Sequence, residues 1–410
     1  MFRRLAHLIW GEEVDPALRP LLLVTLIGSL AGSAAWSFMG IWAVKELGAT
    51  SAQLSYGFFA GAVAGGVVGY VGGHLSDVFG RRALMLAGEG AFALYMLVFL
   101  AAGSNVPLGL GLMVGAFALA SFGGSAGQAM VADLVPPDRH EAAYASVRVA
   151  SNLGVTMGPP AGSVFLIVGG WDAFFPGVCL MAVGSWVVAY RYLPRRGAYA
   201  PAAPPERGSF GVILHDRPFV LFLGASVLAS LVYVAYETVL PISLVESHGL
   251  PDWGWGLLII VNPILVTLFQ LRITRRVAHV PAAPKYLAAL LLMGLPFLLL
   301  GLTSAISVIL FVLIVFVIGE MLWVPTSQMV VAGLAPADVR GAYMGAFGGT
   351  GAMGFALAPF LGLQVRGASG DFAMWAAFAG VAVVGGVLGA VACLRVDRDG
   401  PADAPASASL

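Results

Sequence analysis

From Pro20 to Val44 the chain carries no charged residue, and the same holds from Val106 to Ala132, from Tyr286 to Gly319 and from Gly341 to Val365. Crossing ~30 Å of hydrocarbon takes about 20 apolar residues, so each run is long enough to span a bilayer. Composition points the same way: 59% of the 410 residues are hydrophobic and 10% are charged, where a soluble protein carries roughly 25% charged residues. A water-facing surface cannot be assembled from this set, and the solvent of most of the chain is lipid.

Short charged segments divide the apolar sequence into about twelve predicted spans: 21–43, 53–72, 84–103, 108–134, 142–168, 173–193, 218–243, 254–271, 286–304, 306–333, 341–365 and 372–394. The 54 glycines suit such helices, because small residues let membrane helices approach closely. Loops on alternate sides differ sharply in Lys and Arg. One side holds only Lys45 and Arg366; the other holds the rest of the basic residues outside the spans, among them Arg81, Arg82, Arg139, Arg191, Arg217, Arg272, Arg275, Arg276, Lys285 and Arg340. Cytoplasmic loops carry the basic excess, so both termini are expected in the cytoplasm, with the chain multi-pass in a bacterial-type inner membrane. The first apolar run is full length and follows a polar stretch from Gly11 to Pro20, so it is expected to remain as the first span rather than be cleaved.

Several function classes lose support at this level. The two cysteines, Cys179 and Cys393, both fall inside predicted spans and supply no disulfide framework or metal-ligand cluster. A formal net charge of zero suggests no nucleic-acid partner. No Walker pattern, His cluster or nucleophile elbow occurs. The chain is therefore not expected to be an enzyme or an ATP-driven pump, and no cofactor or metal is implied.

The chain divides in two. The longest hydrophilic interior segment, Pro194 to Pro218, includes PRRGAYAPAAPPERG, and its prolines and charges keep it out of the membrane. A repeat with an offset of 200 residues supports the division more strongly: Gln128, Ala132, Leu134, Pro136 and Asp138 recur as Gln328, Ala332, Leu334, Pro336 and Asp338. After a one-residue slip at Tyr144 and Tyr343, Gly154, Pro159 and Gly162 meet Gly354, Pro359 and Gly362. Duplication with one orientation requires an even number of spans per half. The expected fold is all-α and integral to the membrane, with twelve transmembrane helices in two pseudo-symmetric six-helix bundles. The expected organisation is a first bundle over 1–193, a cytoplasmic linker over 194–217, a second bundle over 218–394 and a cytoplasmic tail over 395–410.

A charged group at the bilayer centre costs at least ~2.5–3.5 kcal/mol on insertion scales, so ionisable residues inside spans call for a reason. Glu237 lies in LVYVAYETVLPISL, with Tyr233 one turn before it and Tyr236 beside it. Glu320 lies in FVIGEMLWVPTSQ, with Trp323 one turn later. Acid and aromatic share a face in both. A carboxyl removed from water favours its protonated form, which suits it to proton exchange, and aromatic faces can hold a lipophilic cation. A structural Glu, protonated or bonded between helices, is the other reading of each.

Arg148 and Asn152 stand one turn apart near the start of the fifth span. Two readings of Arg148 stand open: it binds a carboxylate or substrate, or it snorkels to the cytoplasmic interface. Glu89 has two readings, an interfacial ion pair with the nearby Arg81 and Arg82, which its closeness to them favours, or another proton site. Asn262 is expected to satisfy the backbone freed by Pro263. Trp36 lines a cavity or anchors the first span at the interface.

Two glycine-containing motifs carry a family resemblance. The loop GGHLSDVFGRRALM, Gly72 to Met85, with Gly73, Leu75, Asp77, Gly80, Arg81 and Arg82, resembles the signature between helices two and three of the major facilitator superfamily, although Val78 stands where that pattern has a basic residue. The stretch Gly154-Val-Thr-Met-Gly158-Pro159-Pro160-Ala-Gly162 resembles the antiporter motif of its twelve-helix drug:proton antiporter branch. The segments GEMLWVP and GLAPADVRGAYMG, with the acid before the LP of the seventh span, are similar to a bacterial multidrug efflux subgroup. The resemblance implies a proton-coupled antiporter of small lipophilic cations working by alternating access. It gives Glu237 and Glu320 proton coupling and substrate binding, and gives the loop after the second span a gating role. The basic residue common in the fourth helix of that branch is absent, so no proton relay through it is implied. Partners implied are a small-molecule substrate, protons and lipid, with the chain working as a monomer. A transporter of another cargo on the same fold, such as a sugar, metabolite or lipid, with or without proton coupling, is the alternative.

Overall fold

The computed structural model describes residues 15–136, 139–194, 215–336 and 340–399. Most of the linker, and the C-terminal tail from residue 400 on, lie outside the described residues. Among those described, all regular structure is helical, because backbone groups facing lipid have no water to bond and must be satisfied within the segment. The helices are α1 (Arg19–Lys45), α2 (Ser51–Phe79), α3 (Arg81–Val98), α4 (Val106–Phe122), α5 (Gly124–Leu134), α6 (His140–Tyr192), α7 (Arg217–Thr238), α8 (Leu240–Glu246), α9 (Gly254–Leu258), α10 (Val261–Arg276), α11 (Ala282–Gly294), α12 (Phe297–Leu300), α13 (Ile306–Leu334) and α14 (Arg340–Asp399).

Their ends are set by local chemistry. Thr50 and Gln53 form a reciprocal capping box at the start of α2, with Thr50 Oγ1 accepting from the Gln53 amide at 3.2 Å and Gln53 Oε1 accepting from the Thr50 amide at 2.9 Å. Asn105 and Asp216 accept the amides of Leu108 and Phe219 at the starts of α4 and α7. Gly80, at φ +92°, makes the turn from α2 into α3, a conformation a side chain resists.

Among the described residues, ten helical stretches, some formed of two consecutive elements, are long and apolar enough to cross a membrane. Two of them are far longer than one crossing needs. α6 has 53 residues and α14 has 60, which at 1.5 Å per residue corresponds to about 80–90 Å against ~30 Å of hydrocarbon. Both break inside: α6 at Gly169 (φ −159°, ψ 26°) and Gly170 (φ +61°), α14 at Gly370 (φ +82°). The predicted seventh and eighth spans are each made of two pieces. α7 gives way to α8 at Val239, just after Glu237, and α9 gives way to α10 at residues 259–260.

The chain forms two compact units, Met1–Pro204 with Leu250–Ile260, and Pro205–Gly249 with Val261–Leu410. In the first, α6 lies along α1 at glycine contacts. A Cβ at Gly154 would overlap Leu26 O and stand 2.7 Å from Ser29 Cβ, one at Gly158 would stand 2.6 Å from Leu30 O, and one at Gly162 would stand 2.8 Å from Phe38. Ser33 Oγ donates to Gly154 O across the same contact at 3.3 Å. α9 belongs to this unit: Ser163 donates to Trp253 O at 2.6 Å, and Gly256 lies against Pro159 O.

The second unit repeats the device. A Cβ at Gly354 of α14 would stand 2.7 Å from Ser230 of α7, whereas one at Gly362 would stand 2.8 Å from Phe378 of α14 itself and 3.4 Å from Val239. The sequence repeat thus corresponds at Gly154 and Gly354 to the same helix-on-helix contact in each unit, because only small residues permit backbones to approach this closely. The core of the second unit is aromatic, with Phe316 stacked on Tyr236 at 4.2 Å and Phe297 lying 4.9 Å from Trp375.

Candidate functional site

In the second unit, the sequence from Leu231 to Thr238 continues as helix up to the break at Val239, so Tyr233 and Glu237 share a face one turn apart. α13 brings Glu320 to the same place. Glu237 and Glu320 thus both stand beside the Tyr233 side chain. Asn262, on the first turn of α10, donates through Nδ2 to Glu320 Oε2 at 2.6 Å. The walls are rings: Trp323 lies 5.5 Å from Tyr233, and Tyr236 stacks on Phe316 with an interplanar angle of 6°. Both acids are half-buried.

A phenol has one hydrogen to give. Tyr233 can therefore donate to only one of the two acids at a time, and two bare anions so close would repel. Asn262 plays a part that sequence spacing did not suggest: its side chain turns to Glu320 rather than to the backbone at Pro263. The proline that follows it offered a local explanation, and the true partner is 58 residues away.

The first unit holds a cavity of about 580 Å³. α1 contributes Thr25, Ser29 and Trp36, α3 contributes Glu89 and Phe92, α5 contributes Gln128, and α6 contributes Tyr144, Arg148 and Asn152. Trp36 packs on Phe117 with ring centroids 3.8 Å apart. The structure corrects the expectation for Glu89. It does not pair with Arg81 or Arg82 but faces this cavity, within range of the Ser185 hydroxyl, in space that Gly28 leaves open: a Cβ there would meet Glu89 Oε1 at 2.9 Å.

The two arginines are committed elsewhere. Arg81 Nε meets Asp133 Oδ2 at 3.4 Å and Nη1 donates to Ser76 Oγ at 2.5 Å. Arg82 donates to Tyr190 O at 2.6 Å and lies over the Tyr190 ring. These contacts tie the α2–α3 turn to the ends of α5 and α6. Gly73 and Asp77 fall on the last turns of α2, and their side chains lie outside those described. Asp133 was not singled out by sequence, because nothing local to the ADL segment indicates a partner 52 residues back.

A further ionic cluster stands in the second unit where α8 ends and α14 breaks. Arg366 pairs with Glu246 and, at 2.6 Å, with Asp371, whose other oxygen accepts from Ser243 Oγ at 2.6 Å. In the sequence Arg366 stands out only as a topology marker, because Glu246 is 120 residues away. Among the described residues, no group of three or more His, Cys, Asp or Glu is placed to hold a metal ion.

Comparison with known proteins agrees with this architecture. The family model described as Major Facilitator Superfamily matches residues 21–359. A Na(+), Li(+), K(+)/H(+) antiporter of Planococcus maritimus is 26% identical over 306 residues, 67% of this chain and 72% of that protein. Multidrug resistance protein MdtH of Klebsiella pneumoniae (strain 342) is 26% identical over 309 residues, 70% of this chain and 72% of that protein. Among solved structures, a POT family transporter in complex with a thioalcohol conjugated peptide aligns with a TM-score of 0.75 at 16% identity, covering 94% of this chain and 97% of that one. A mutant form of the nucleoside transporter NupG aligns with a TM-score of 0.71 at 13% identity, covering 93% and 99%. These likenesses show the fold, and the match over 21–359 shows the family: the chain is a multi-pass membrane transporter and belongs to the Major Facilitator Superfamily.

Proposed function

We propose that the chain is a proton-coupled exporter of small lipophilic cations, working by alternating access. The observation that carries this reading is the placing of Glu237 and Glu320 about one phenol, Tyr233, inside a wall of aromatic rings. With the acids deprotonated, the site offers negative charge and ring faces to a cation. Proton entry neutralises a carboxyl, removes that attraction and favours release. Differential affinity between the two protonation states is what a coupled exchange requires.

Supporting this are two relatives, one named as a cation/H(+) antiporter and the other as a multidrug resistance protein. Reading α6 and α14 each as two crossings, divided at their internal glycines, turns ten candidate spans into twelve, six per half. On that reading both termini face the cytoplasm, the bilayer is a bacterial inner membrane, and the monomer suffices. Arg81 and Arg82 latch the cytoplasmic end through their contacts with Asp133 and Tyr190. The packing of α6 on α1 at Gly154, Gly158 and Gly162, beside Pro159, keeps the helix pair sealed.

The test is efflux of a fluorescent cation such as ethidium from proteoliposomes under an imposed pH gradient, with and without a protonophore. Efflux driven by the gradient and lost in both Glu237→Gln and Glu320→Gln is expected. Unchanged coupled transport by both variants would sink the mechanism. No transport of any of a panel of cations would favour another cargo for this fold.

A further inference from the structure

The cavity of the first unit has a chemistry of its own, unlike that of the acid pair. Arg148 on α6 opens onto it, and among the described residues this guanidinium has no hydrogen-bond or ion-pair partner. Asn152, one turn further along α6, and Gln128 on α5 face the same space with uncommitted amides. Glu89 on α3 faces it too. Arg148 and Glu89 are each eight residues into their helices, about 12 Å along the axis. The Arg81–Asp133 contact holds the start of α3 against the end of α5, so the two charges belong at a similar depth. They do not neutralise each other.

Arg148, Asn152 and Gln128 are all exposed where they line this cavity, so the guanidinium and both amides are open to a ligand that enters it. Arg presents a planar fork of donors matched to a carboxylate, and two amides beside it extend that donor set. A volume of about 580 Å³ is within the range that holds drug-sized molecules, and Trp36 supplies a ring face on the same wall.

We propose that this cavity is a subsite for a carboxylate-bearing amphiphile with a cationic centre. Arg148, assisted by Asn152 and Gln128, takes the carboxylate; Glu89 takes the cationic end. The transported compounds then include zwitterions as well as simple cations. The proposal rests on the exporter reading only in calling the ligand a substrate, and binding measured without any gradient tests the pocket by itself.

Rhodamine B and its ethyl ester are suitable probes, since they share one cationic ring system and only the former carries a free carboxylate at neutral pH. Their equilibrium binding to the purified chain in lipid nanodiscs is read by fluorescence anisotropy. The native chain is expected to bind rhodamine B about tenfold tighter than the ester, the scale of one charge-assisted hydrogen bond. Arg148→Met is expected to abolish that preference while leaving ester affinity within about twofold. Glu89→Gln is expected to weaken both probes. Equal binding of the two probes by the native chain, or parallel loss of both in Arg148→Met with the protein still monodisperse, would overturn the proposal; so would undiminished binding in Glu89→Gln. If Arg148→Met does not fold, Arg148→Lys decides, because a point charge lacks the fork: a preference reduced several-fold supports the assignment and an unaltered one refutes it. Loss of proton coupling in Glu237→Gln or Glu320→Gln with the rhodamine preference intact separates this subsite from the proton mechanism.

Discussion

The Asn262 side chain donates to Glu320 at 2.6 Å, and it does so from the first turn of α10, immediately after the chain breaks at residues 259–260. A carboxylate in a weakly polar site keeps its charge only where donors compensate it. Asn262→Leu removes the donor while keeping the volume similar. Binding of a cationic probe at neutral pH is expected to weaken about tenfold, as loss of a hydrogen bond to a charged group costs roughly 1.5–3 kcal/mol. Asn262→Gln, which retains the amide, should recover part of it, and a titration of ethidium anisotropy against protein distinguishes the two.

Tyr233 tests whether one hydroxyl couples the acids. Tyr233→Phe keeps the ring facing Trp323 and Phe316 but deletes the shared donor. Cation binding is expected to survive within about threefold, since ring and carboxylates remain, whereas the pH-gradient-driven rate falls at least about tenfold. Equal loss of binding and coupled transport would show that the hydroxyl serves the ligand rather than the proton.

Much of the fold was legible because lipid removes alternatives. Charge-free runs such as Pro20 to Val44 had to be helical, and the glycines at 154 and 162, echoed at 354 and 362, mark close helix contacts in the sequence itself. The acid–aromatic pairs Tyr233–Glu237 and Glu320–Trp323 were visible from helical spacing within each helix, but their meeting was not, because it joins residues on different helices. Glu89 was misplaced for a related reason. Arg81 and Arg82 are near it in sequence, yet their partners, Asp133 and Tyr190, are 52 and 108 residues away. The helix breaks at Val239 and at residues 259–260 had a local signal, since Pro241 and Pro263 have no N–H to bond the carbonyls of Glu237 and Ile259.

Gly158 provides a packing test. A Cβ there would overlap Ser33 Oγ and lie 2.6 Å from Leu30 O and 2.8 Å from the Ala34 amide, and the last two are backbone atoms that cannot rotate away. Gly158→Ala is expected to force α6 from α1 and cost about 1–3 kcal/mol, as overpacking does, lowering the unfolding temperature in detergent. Ser33→Ala should not rescue it. Gly348→Ala, at a position with nothing within 4 Å, is the neutral control.

Arg81 and Asp133 allow a double-mutant cycle. Their side chains are 16% and 14% exposed, so water screens the pair less than it would a surface pair. Arg81→Gln and Asp133→Asn are each expected to destabilise, and together to cost less than the sum, with a coupling of about 0.5–1 kcal/mol measured by thermal unfolding. Strict additivity would show that Arg81 contributes through contacts other than Asp133.

The cluster around Arg366 should behave differently, because its centre is a single buried cation serving two anions. The Arg366 side chain is 10% exposed, Asp371 19% and Glu246 30%. Removing the cation leaves two carboxylates facing each other where α8 ends and α14 breaks, whereas removing the more exposed Glu246 leaves Arg366 still held by Asp371 and by Ser247 at 3.0 Å. Breaking a buried pair by deleting one partner costs up to about 3–5 kcal/mol, so Arg366→Met is expected to lower the unfolding temperature most, Asp371→Asn less and Glu246→Gln least. Lowering the pH should narrow the gap between Arg366→Met and the native chain, since protonation removes the repulsion between the stranded carboxylates. Differential scanning fluorimetry of the three variants across neutral and mildly acidic buffers checks the order, and a Glu246→Gln variant as damaged as Arg366→Met would show that the cluster is held by the α8 end rather than by its central guanidinium.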